Sequence, residues 1–411
     1  MTPEPTVEQP SALHRSARYR AHPSPAQRQV LRRQMAACRW VFNAVLEIHF
    51  RAQQRGVDPP ETRTLERRLV TELRGRRRGR HLRPASSAAL RFAVREADAA
   101  ARRWRYTGGD RPHWRRAGTP GSMHYYPSAV HPTAGVVIRG EGRRARVQIP
   151  RLGLVRAHLH RDLPGRPVRL TIREDDGGRW WIAVVCDVEV QHEEATGRIA
   201  AVDLGAGRTL AWVVWIDTAT GEHGRYSIPA AEIDHRHEQQ RLNEIAARRA
   251  RCVPASRRHT QLSQRLARRR ASLANRRREA ARLMAKRILD DVDLVVVETL
   301  ALKGLIDAGG PDGARLLSAG MAAALAELRA VAERRGKKVV AAHRYLASTH
   351  LCAVCDRRAD PMPLSMRTWT CGRCGTRLHR DYGAATTLLR HSGRAGMPPV
   401  DVRTRLALAG A

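Results

Sequence analysis

Apolar residues recur at helical spacing near the start of the chain. Val30, Leu31, Met35, Trp40, Val41, Val45 and Leu46 fall mostly three to five apart or as adjacent pairs, which predicts one long helix from Pro25 to about Gln54. Ser24 supplies its N-cap and Pro25 its first turn. Before it, Arg15 to Arg20 alternates and predicts a short strand, ended by His22-Pro23. Further helices are predicted over Glu61–Arg74 and Ser86–Trp104. Between them, Arg74–Arg80 reads either as a solvated basic loop or as a phosphate contact. Past Tyr106 a stretch rich in Gly and Pro gives way to short runs suited to strands: Gly135–Arg139, Arg144–Ile149, Val168–Ile172 and Trp180–Val190. These predict a small β-barrel or sandwich, interrupted in sequence by the helices before it.

A second pattern starts after the polar segment Gln191–Thr196. Strands are predicted over Arg198–Asp203, Leu210–Ile216 and Arg225–Ile228, then a long helical region over Ala230–Asp290, broken near Cys252–Ser256. Asp293–Glu298 reads as a buried strand, Ser318–Arg335 as a helix closed by Gly336, Lys338–Ala342 as a strand and Tyr382–Arg390 as a short helix. Three strands in a meander, then helix, strand, helix, strand and helix, is the order of an RNase H-like fold.

Charge narrows the function. The 411 residues carry 75 Lys and Arg against 39 Asp and Glu, a net charge of +36. Such an excess calls for a polyanion, and nucleic acid is the obvious one. Only four of the basic residues are Lys (Lys286, Lys303, Lys337 and Lys338). Guanidinium groups bind phosphate bidentately and stack on bases, which suits RNA and single strands. Residues 241–290 hold sixteen basic and three acidic side chains. Leu262, Leu266, Leu273, Leu283 and Ile288 give this region a thin apolar stripe. It is expected to lie along phosphates, with Arg268, Arg269 and Arg276 among the contacts. Trp104, Tyr106 and Trp114 stand among arginines, which suits base stacking and equally suits core anchoring. No apolar run approaches the ~20 residues of a membrane span. The polar, acidic start differs from a signal peptide, so the expected location is the cytoplasm of a prokaryote.

Two groups of residues carry chemistry. Cys352-x2-Cys355-x15-Cys371-x2-Cys374 is two knuckles on a ribbon. Four thiolates fill a tetrahedral sphere, so structural Zn²⁺ is expected and catalysis at it is not. Cys38, Cys186 and Cys252 are isolated. Asp203 and Glu298 end predicted strands, and Asp381 starts the last predicted helix. An acid ending an apolar strand must be solvated, paired or bound to metal. The three could form an Mg²⁺ or Mn²⁺ site for phosphodiester hydrolysis. Singly, they also read as a turn former, a solvated strand end and a helix cap.

Several segments occur in a telling order: Ile199-Ala-Ala-Val-Asp-Leu-Gly205, Val295-Val-Val-Glu-Thr-Leu-Ala-Leu-Lys-Gly304, Ser348-Thr-His-Leu-Cys-Ala-Val-Cys355, Trp369-Thr-Cys-Gly-Arg-Cys-Gly375 and His379-Arg-Asp-Tyr-Gly-Ala-Ala385. Together they resemble the TnpB family of transposon-encoded RNA-guided nucleases, which is related to compact type V CRISPR effectors. Tyr19-Arg-Ala-His-Pro-Ser-Pro-Ala-Gln27, Cys38-Arg-Trp-Val-Phe-Asn43 and Arg111-Pro-His-Trp-Arg115 resemble its N-terminal part more loosely.

The resemblance implies an α/β multidomain protein. Residues 1–22 would be a tail and the first strand of a wedge β-barrel, 23–121 a helical recognition insert and 122–192 the rest of the barrel. Residues 193–343 would form a RuvC nuclease domain with the basic helical region, 344–378 a zinc ribbon, and 379–411 the last RuvC helix and tail. It implies that Asp203, Glu298 and Asp381 are the catalytic, magnesium-binding triad. The implied partners are a guide RNA from the transposon end and a target DNA beside a short adjacent motif. The family commonly has Asp-Arg-Asp-x-Asn-Ala-Ala around the third acid, whereas here His379 and Gly383 replace the first Asp and the Asn. Two alternatives share this scaffold: a nuclease-silent RNA-guided DNA-binding repressor and a compact CRISPR effector. A DNA transposase also uses three acids on an RNase H fold, but a zinc ribbon just before the third acid fits it poorly.

Overall fold

The computed structural model describes residues 13–117, 121–125, 138–190, 193–205, 209–230, 235–299, 320–343, 346, 348–360, 362–363 and 366–392. Expectations for both tails and for 300–319 lie outside the described residues. The chain divides into two compact units, Met1–Glu189 with Arg248–Arg268, and Val190–Ala247 with Arg269–Ala411. The basic helical region, assigned from the sequence wholly to the second half, is thus divided between them.

In the first unit, strand β1 (Leu13–His22) buries Ala17, Tyr19 and Ala21 and leaves Ser16 and Arg18 exposed, the period-two signature of a half-buried strand. Helix α1 (Pro25–Gln54) follows at once. Its N-cap is a capping box, in which the Ser24 hydroxyl accepts from the Gln27 amide N–H while the Gln27 side chain accepts from the Ser24 N–H. Helices α2 (Thr62–Glu66) and α3 (Ser87–Thr107) complete the helical insert, linked by a π-helical turn, Arg67–Leu73, and a 3₁₀ turn, Arg77–Leu82. Arg74–Arg80 is therefore not a free loop. The Arg74 guanidinium donates to the Ser87 hydroxyl at 2.9 Å and the Ala85 carbonyl at 3.0 Å. A Cβ on buried Gly79 would lie 1.9 Å from the Leu73 carbonyl oxygen, so only glycine fits. Arg76, Arg77, Arg78 and Arg80 stay exposed.

The chain then returns to pair with β1. Strands β2 (Ser122–Tyr125), β3 (Ile138–Arg139), β4 (Arg146–Ile149), β5 (Gly153–His158), β6 (Arg166–Glu174) and β7 (Trp180–Val188) form one antiparallel sheet of order β2-β6-β7-β1-β5-β4-β3. The expected β-barrel is a curled half-barrel among the described residues, where β2 and β3 are edges that do not pair with each other. Neither β2 nor β5 is predicted from the sequence. One is four residues beside a Gly/Pro stretch and the other begins with glycine.

The helical insert is locked by a buried polar cluster. His49 of α1 lies 2.8 Å from the Asp98 carboxylate of α3, and both are nearly inaccessible. Thr62 of α2 donates its hydroxyl to Asp98 at 2.5 Å, and Arg102 reaches both carboxylate oxygens at 3.1 Å. Burial alone would push the Asp98 carboxyl up, but these hydrogen bonds outweigh it and hold it below its ordinary value. Asp98→Ala should lower unfolding free energy by about 3–5 kcal/mol at neutral pH, because it strands the other buried groups. Denaturant unfolding of the wild type and variant measures this. The Asp98 contribution is present above the unfolded carboxyl pKa of about 3.9 and is lost as pH falls through the lower folded value.

In the second unit, β8 (Arg198–Leu204), β9 (Thr209–Asp217), β10 (His223–Pro229), β11 (Leu294–Val297) and β12 (Lys338–Ala341) form a sheet of order β10-β9-β8-β11-β12. The first three strands are antiparallel; β11 runs parallel to both β8 and β12. Helices α4 (His235–Ala250), α5 (Arg257–Asp291), α6 (Met321–Arg334) and α7 (Arg380–Arg390) accompany it. Alternate strand residues serve opposite faces. Ala200, Val202, Val295 and Val297 pack with Met284, Ile288 and Leu289 of α5 and Leu328 of α6, whereas Ala201 and Val296 pack with Leu388 and Leu389 of α7. The buried stripe of α5 in this unit includes Leu273, Ala281, Met284, Ala285, Ile288 and Leu289. Leu283, predicted to join it, is 52% exposed, because it falls one position off the helical repeat.

Candidate active site

Strand alternation brings the acids together. Val202 is in register with Val297 across the parallel pair β8–β11, and Asp203 and Glu298 each follow by one residue. They therefore share the parity of Ala201 and Val296, the α7 side of the sheet. Asp381 lies in the first turn of α7, and α7 packs on that side. The Asp203 carboxyl is pushed up to about 8, first by burial and then by the charges of Glu298 and Asp381; Arg380 and Arg367 offset only part of this. Burial also raises Glu298. All three predicted acids thus lie within electrostatic reach at the C-terminal ends of the adjacent interior strands β8 and β11.

Two partners of the acids escape the sequence reading. The buried Ser348 hydroxyl donates to Glu298 Oε1 at 3.1 Å. Arg367 donates to both Asp381 oxygens at 3.1 and 3.2 Å. Each stands four residues before the first cysteine of a knuckle, the positional signal that could have found them. His379 Nδ1 lies 3.9 Å from Asp381, and its ring sits 4.7 Å from Trp212 and 5.3 Å from Tyr382. Trp212 is the registered neighbour of Asp203 on β9. The residue departing from the family pattern thus belongs to an aromatic cluster beside the acids.

The cysteines form a zinc-binding cluster. All four sulfurs lie within 4.8 Å of one another, with Cys352–Cys374 and Cys355–Cys371 at 3.6 Å. Tetrahedral Zn–S bonds of about 2.3 Å place sulfurs roughly 3.8 Å apart, so the donors fit Zn²⁺. The knuckles are built alike. Cys352 N–H donates to Arg357 and Asp356 N–H to Cys352; Cys371 N–H donates to Thr376 and Gly375 N–H to Cys371. Asp356 and Gly375 both take positive φ, +59° and +69°. Strands β13 (Thr368–Thr370) and β14 (Arg377–His379) make the hairpin, and β14 runs directly into α7. The ribbon also grips that helix: Arg380 N–H donates to the Arg367 carbonyl at 2.8 Å, Arg380 Nη1 to Pro363 at 3.0 Å, and Arg390 to Asp356 at 3.0 Å and to the Ala353 carbonyl. Cys38 and Cys186 are buried and all seven cysteines are free of disulfides.

The cysteines are the one group of three or more metal-ligating atoms so closely clustered among the described residues. The three carboxylates are spaced more widely. Their donor set is oxygen only, the chemistry that suits a hard divalent cation.

The predicted nucleic-acid contacts are more dispersed. Trp104 and Trp114 each meet Phe50 edge-on at 5.5 Å, and Arg111 lies over Phe50 and Trp104. Tyr106 is 53% exposed and donates its hydroxyl to Asp58 at 2.8 Å. Arg268 donates to the Gly177 carbonyl at 2.8 Å, and Arg269 pairs with Glu238 at 2.7 Å. Arg276 is exposed. Trp104 is thus an anchor of the helical unit, and Arg269 is already engaged with an acid.

Three family models match the chain in order. A helix-turn-helix domain matches residues 11–56, a "Probable transposase" model 183–308, and a "Cas12f1-like, TNB domain" model 325–388. These matches bear out the resemblance to the TnpB family. A Streptomyces pristinaespiralis protein named "Putative RNA-guided DNA endonuclease" is 26% identical over 424 residues, covering 97% of this chain and 98% of that protein. A cryo-EM structure of a Cas12f1–sgRNA–target DNA complex superposes with TM-score 0.57 and 11% identity, over 89% of this chain and 83% of that one. The chain therefore shares the fold of that Cas12f1 chain. Its segment matched as helix-turn-helix is a strand followed by one long helix. No helix among the described residues is long and apolar enough to cross a membrane.

Two outcomes follow from this geometry. Asp203 ordinarily titrates at 3.8, and its folded value is about 8. Between those values the folded state holds a proton that the unfolded state has released, so stability falls as pH rises. Metal-free protein should lose melting temperature from about pH 5 to 8, and Asp203→Asn should remove most of that slope; differential scanning fluorimetry in chelator reads both. The zinc cluster should bind one Zn²⁺ per chain by elemental analysis. Cys371→Ser should lower that figure and destabilise the ribbon, since zinc binding in small metallodomains supplies roughly 10–16 kcal/mol of folding free energy.

Proposed function

We propose that this protein is an RNA-guided DNA endonuclease whose second unit is an RNase H-like nuclease of the RuvC type. The observation that carries the reading is the convergence of Asp203, Glu298 and Asp381 at the ends of β8 and β11 and the start of α7. Helices on both faces of a five-stranded sheet of order β10-β9-β8-β11-β12 support the fold assignment. The named relative and the Cas12f1 complex support a guide RNA and a target DNA as partners.

Asp203, Glu298 and Asp381 would hold Mg²⁺ or Mn²⁺. When bound, such ions supply Lewis-acid polarisation of phosphate and a hydroxide nucleophile near neutral pH. The chain's own residues provide the rest. The strands fix the first two carboxylates, and the ribbon-held helix fixes the third. Ser348 orients Glu298. Arg367 neutralises Asp381 and is 59% exposed, so it can turn toward an incoming phosphate. Base pairing with the guide would read the target, and the protein would read duplex shape and a short adjacent motif.

The test pairs cleavage with binding. Protein loaded with guide RNA transcribed from the transposon end should cut matching DNA beside the adjacent motif, in Mg²⁺ or Mn²⁺ only. Asp203→Ala, Glu298→Ala and Asp381→Ala should each lower cleavage by at least about a hundredfold, because ligand position sets the in-line geometry. Guided DNA binding should stay within a few-fold of wild type. A wild-type protein that binds its guided target but never cuts would be a nuclease-silent repressor. Asp381→Ala cutting at the wild-type rate would remove that residue from the site.

A further inference from the structure

The first unit contains a cavity of about 560 Å³ that nothing in the nuclease reading uses. It opens on the polar face of the half-barrel where β1, β5 and β4 meet the start of α1. Arg20, His22, Arg28, Arg146, Arg156 and Trp180 are among its lining residues.

The strand register makes this lining unusual. His22 is the direct cross-strand partner of Arg156, and Arg156 is the direct partner of Arg146. Three basic side chains therefore stand side by side across three adjacent strands. Arg20 lies two residues before His22 on the same face, and Arg28 comes from the first turn of α1. Like charges directly opposite each other in a sheet destabilise it. The usual remedy is an interleaved acid, yet none of these arginines has a carboxylate within 4 Å among the described residues. Asp175 lies near Arg20, but its oxygens accept from the Arg179 N–H and the Trp181 indole, both at 2.8 Å.

One donor is also unfilled: Arg20 Nη1 is buried with no hydrogen-bond partner, while Arg28 Nε donates to the Pro23 carbonyl at 3.1 Å. A buried donor without an acceptor costs roughly 1–3 kcal/mol. The helix terminus is not the attraction, since Pro25 has no N–H and the Ser24–Gln27 box already caps α1. Burial and the charges of Arg20 and Arg156 depress His22, so the neighbouring cations already register on it.

We propose that this cavity is a phosphate-binding pocket for a nucleic-acid strand, with Arg20, Arg28, Arg146 and Arg156 as the cationic ligands. An anion with several acceptor oxygens answers both the repulsion and the empty Arg20 donor. The volume admits a whole nucleotide rather than a lone ion. The chemistry is common to a terminal 5′-phosphate and to a backbone phosphodiester. The pocket stands apart from the three acids, and its test needs no cleavage.

The full chain, purified free of nucleic acid, should be titrated with a 12-nucleotide single-stranded RNA labelled at its 3′ end. Arg146→Ala/Arg156→Ala should weaken binding about tenfold or more and reduce the slope of log K against log [salt] by about 1.4, the value for two lost phosphate contacts on a single strand. Arg33→Ala/Arg63→Ala removes two exposed arginines elsewhere in the unit and controls for net charge. Because the pocket arginines repel one another, the pocket variant should melt at or above the wild-type temperature. Pyrophosphate should raise the melting temperature of wild type more than that of the variant. A tenfold preference for 5′-phosphorylated over 5′-hydroxyl RNA would assign the terminal phosphate, and equal affinity the backbone. The proposal is overturned if the pocket pair binds RNA like the control pair, or if it melts well below wild type, which would make these arginines structural.

Discussion

Repulsion among three carboxylates is the constraint around which the second unit is arranged. Asp203 and Glu298 are fixed by adjacent parallel strands, and neither can retreat without breaking the β8–β11 ladder. The third acid arrives on a helix that is free to move in principle. The zinc ribbon removes that freedom, because Arg380 and Arg390 tie α7 to it near both ends. The ribbon is therefore part of the site's architecture even though its metal is coordinatively full. It also supplies Ser348 and Arg367, the polar side chains that touch Glu298 and Asp381 directly.

The first unit solves a different electrostatic problem. Its deeply buried carboxylate Asp98 is answered by His49, Thr62 and Arg102. Its arginines are answered unevenly. Arg32 pairs with Glu174 and Arg115 with Glu96, while Arg146 and Arg156 across β4 and β5 have no carboxylate partner among the described residues. A chain with this charge excess cannot neutralise every guanidinium internally. Where it fails to do so is informative about where an external anion belongs.

Much of this was legible in the sequence, for reasons that differ by element. The long helix α1 declares itself because thirty residues sustain one apolar stripe behind a capping box. The strands β8 and β11 are legible because buried strands read as short apolar runs, and the acids that end them stand out. The cysteine spacing specifies its own geometry. The missed elements are those whose meaning is tertiary. Strand β2 has four residues, and only pairing with β6 makes it a strand. The role of Leu283 was misread because α5 is mostly Arg and Ala, and one extra Leu does not reveal which side faces the sheet. The convergence of His22 with Arg156 and Arg146 depends on β1 pairing with a hairpin more than a hundred residues further on, which no local pattern encodes.

The two knuckles of the ribbon match in backbone but not in support. Asp356 holds a left-handed conformation that costs a non-glycine residue energy, and Arg390 clamps it there. Gly375 adopts the same conformation at no steric cost, and nothing surrounds the place its side chain would occupy. Cys352 is buried while Cys374 is exposed. The cluster consequently has a strong and a weak half. Oxidants and competing chelators therefore meet Cys374 first, while its knuckle partner Cys371 stays buried. Attack there would fall on the knuckle that leads through β14 into the end of α7 that bears Asp381.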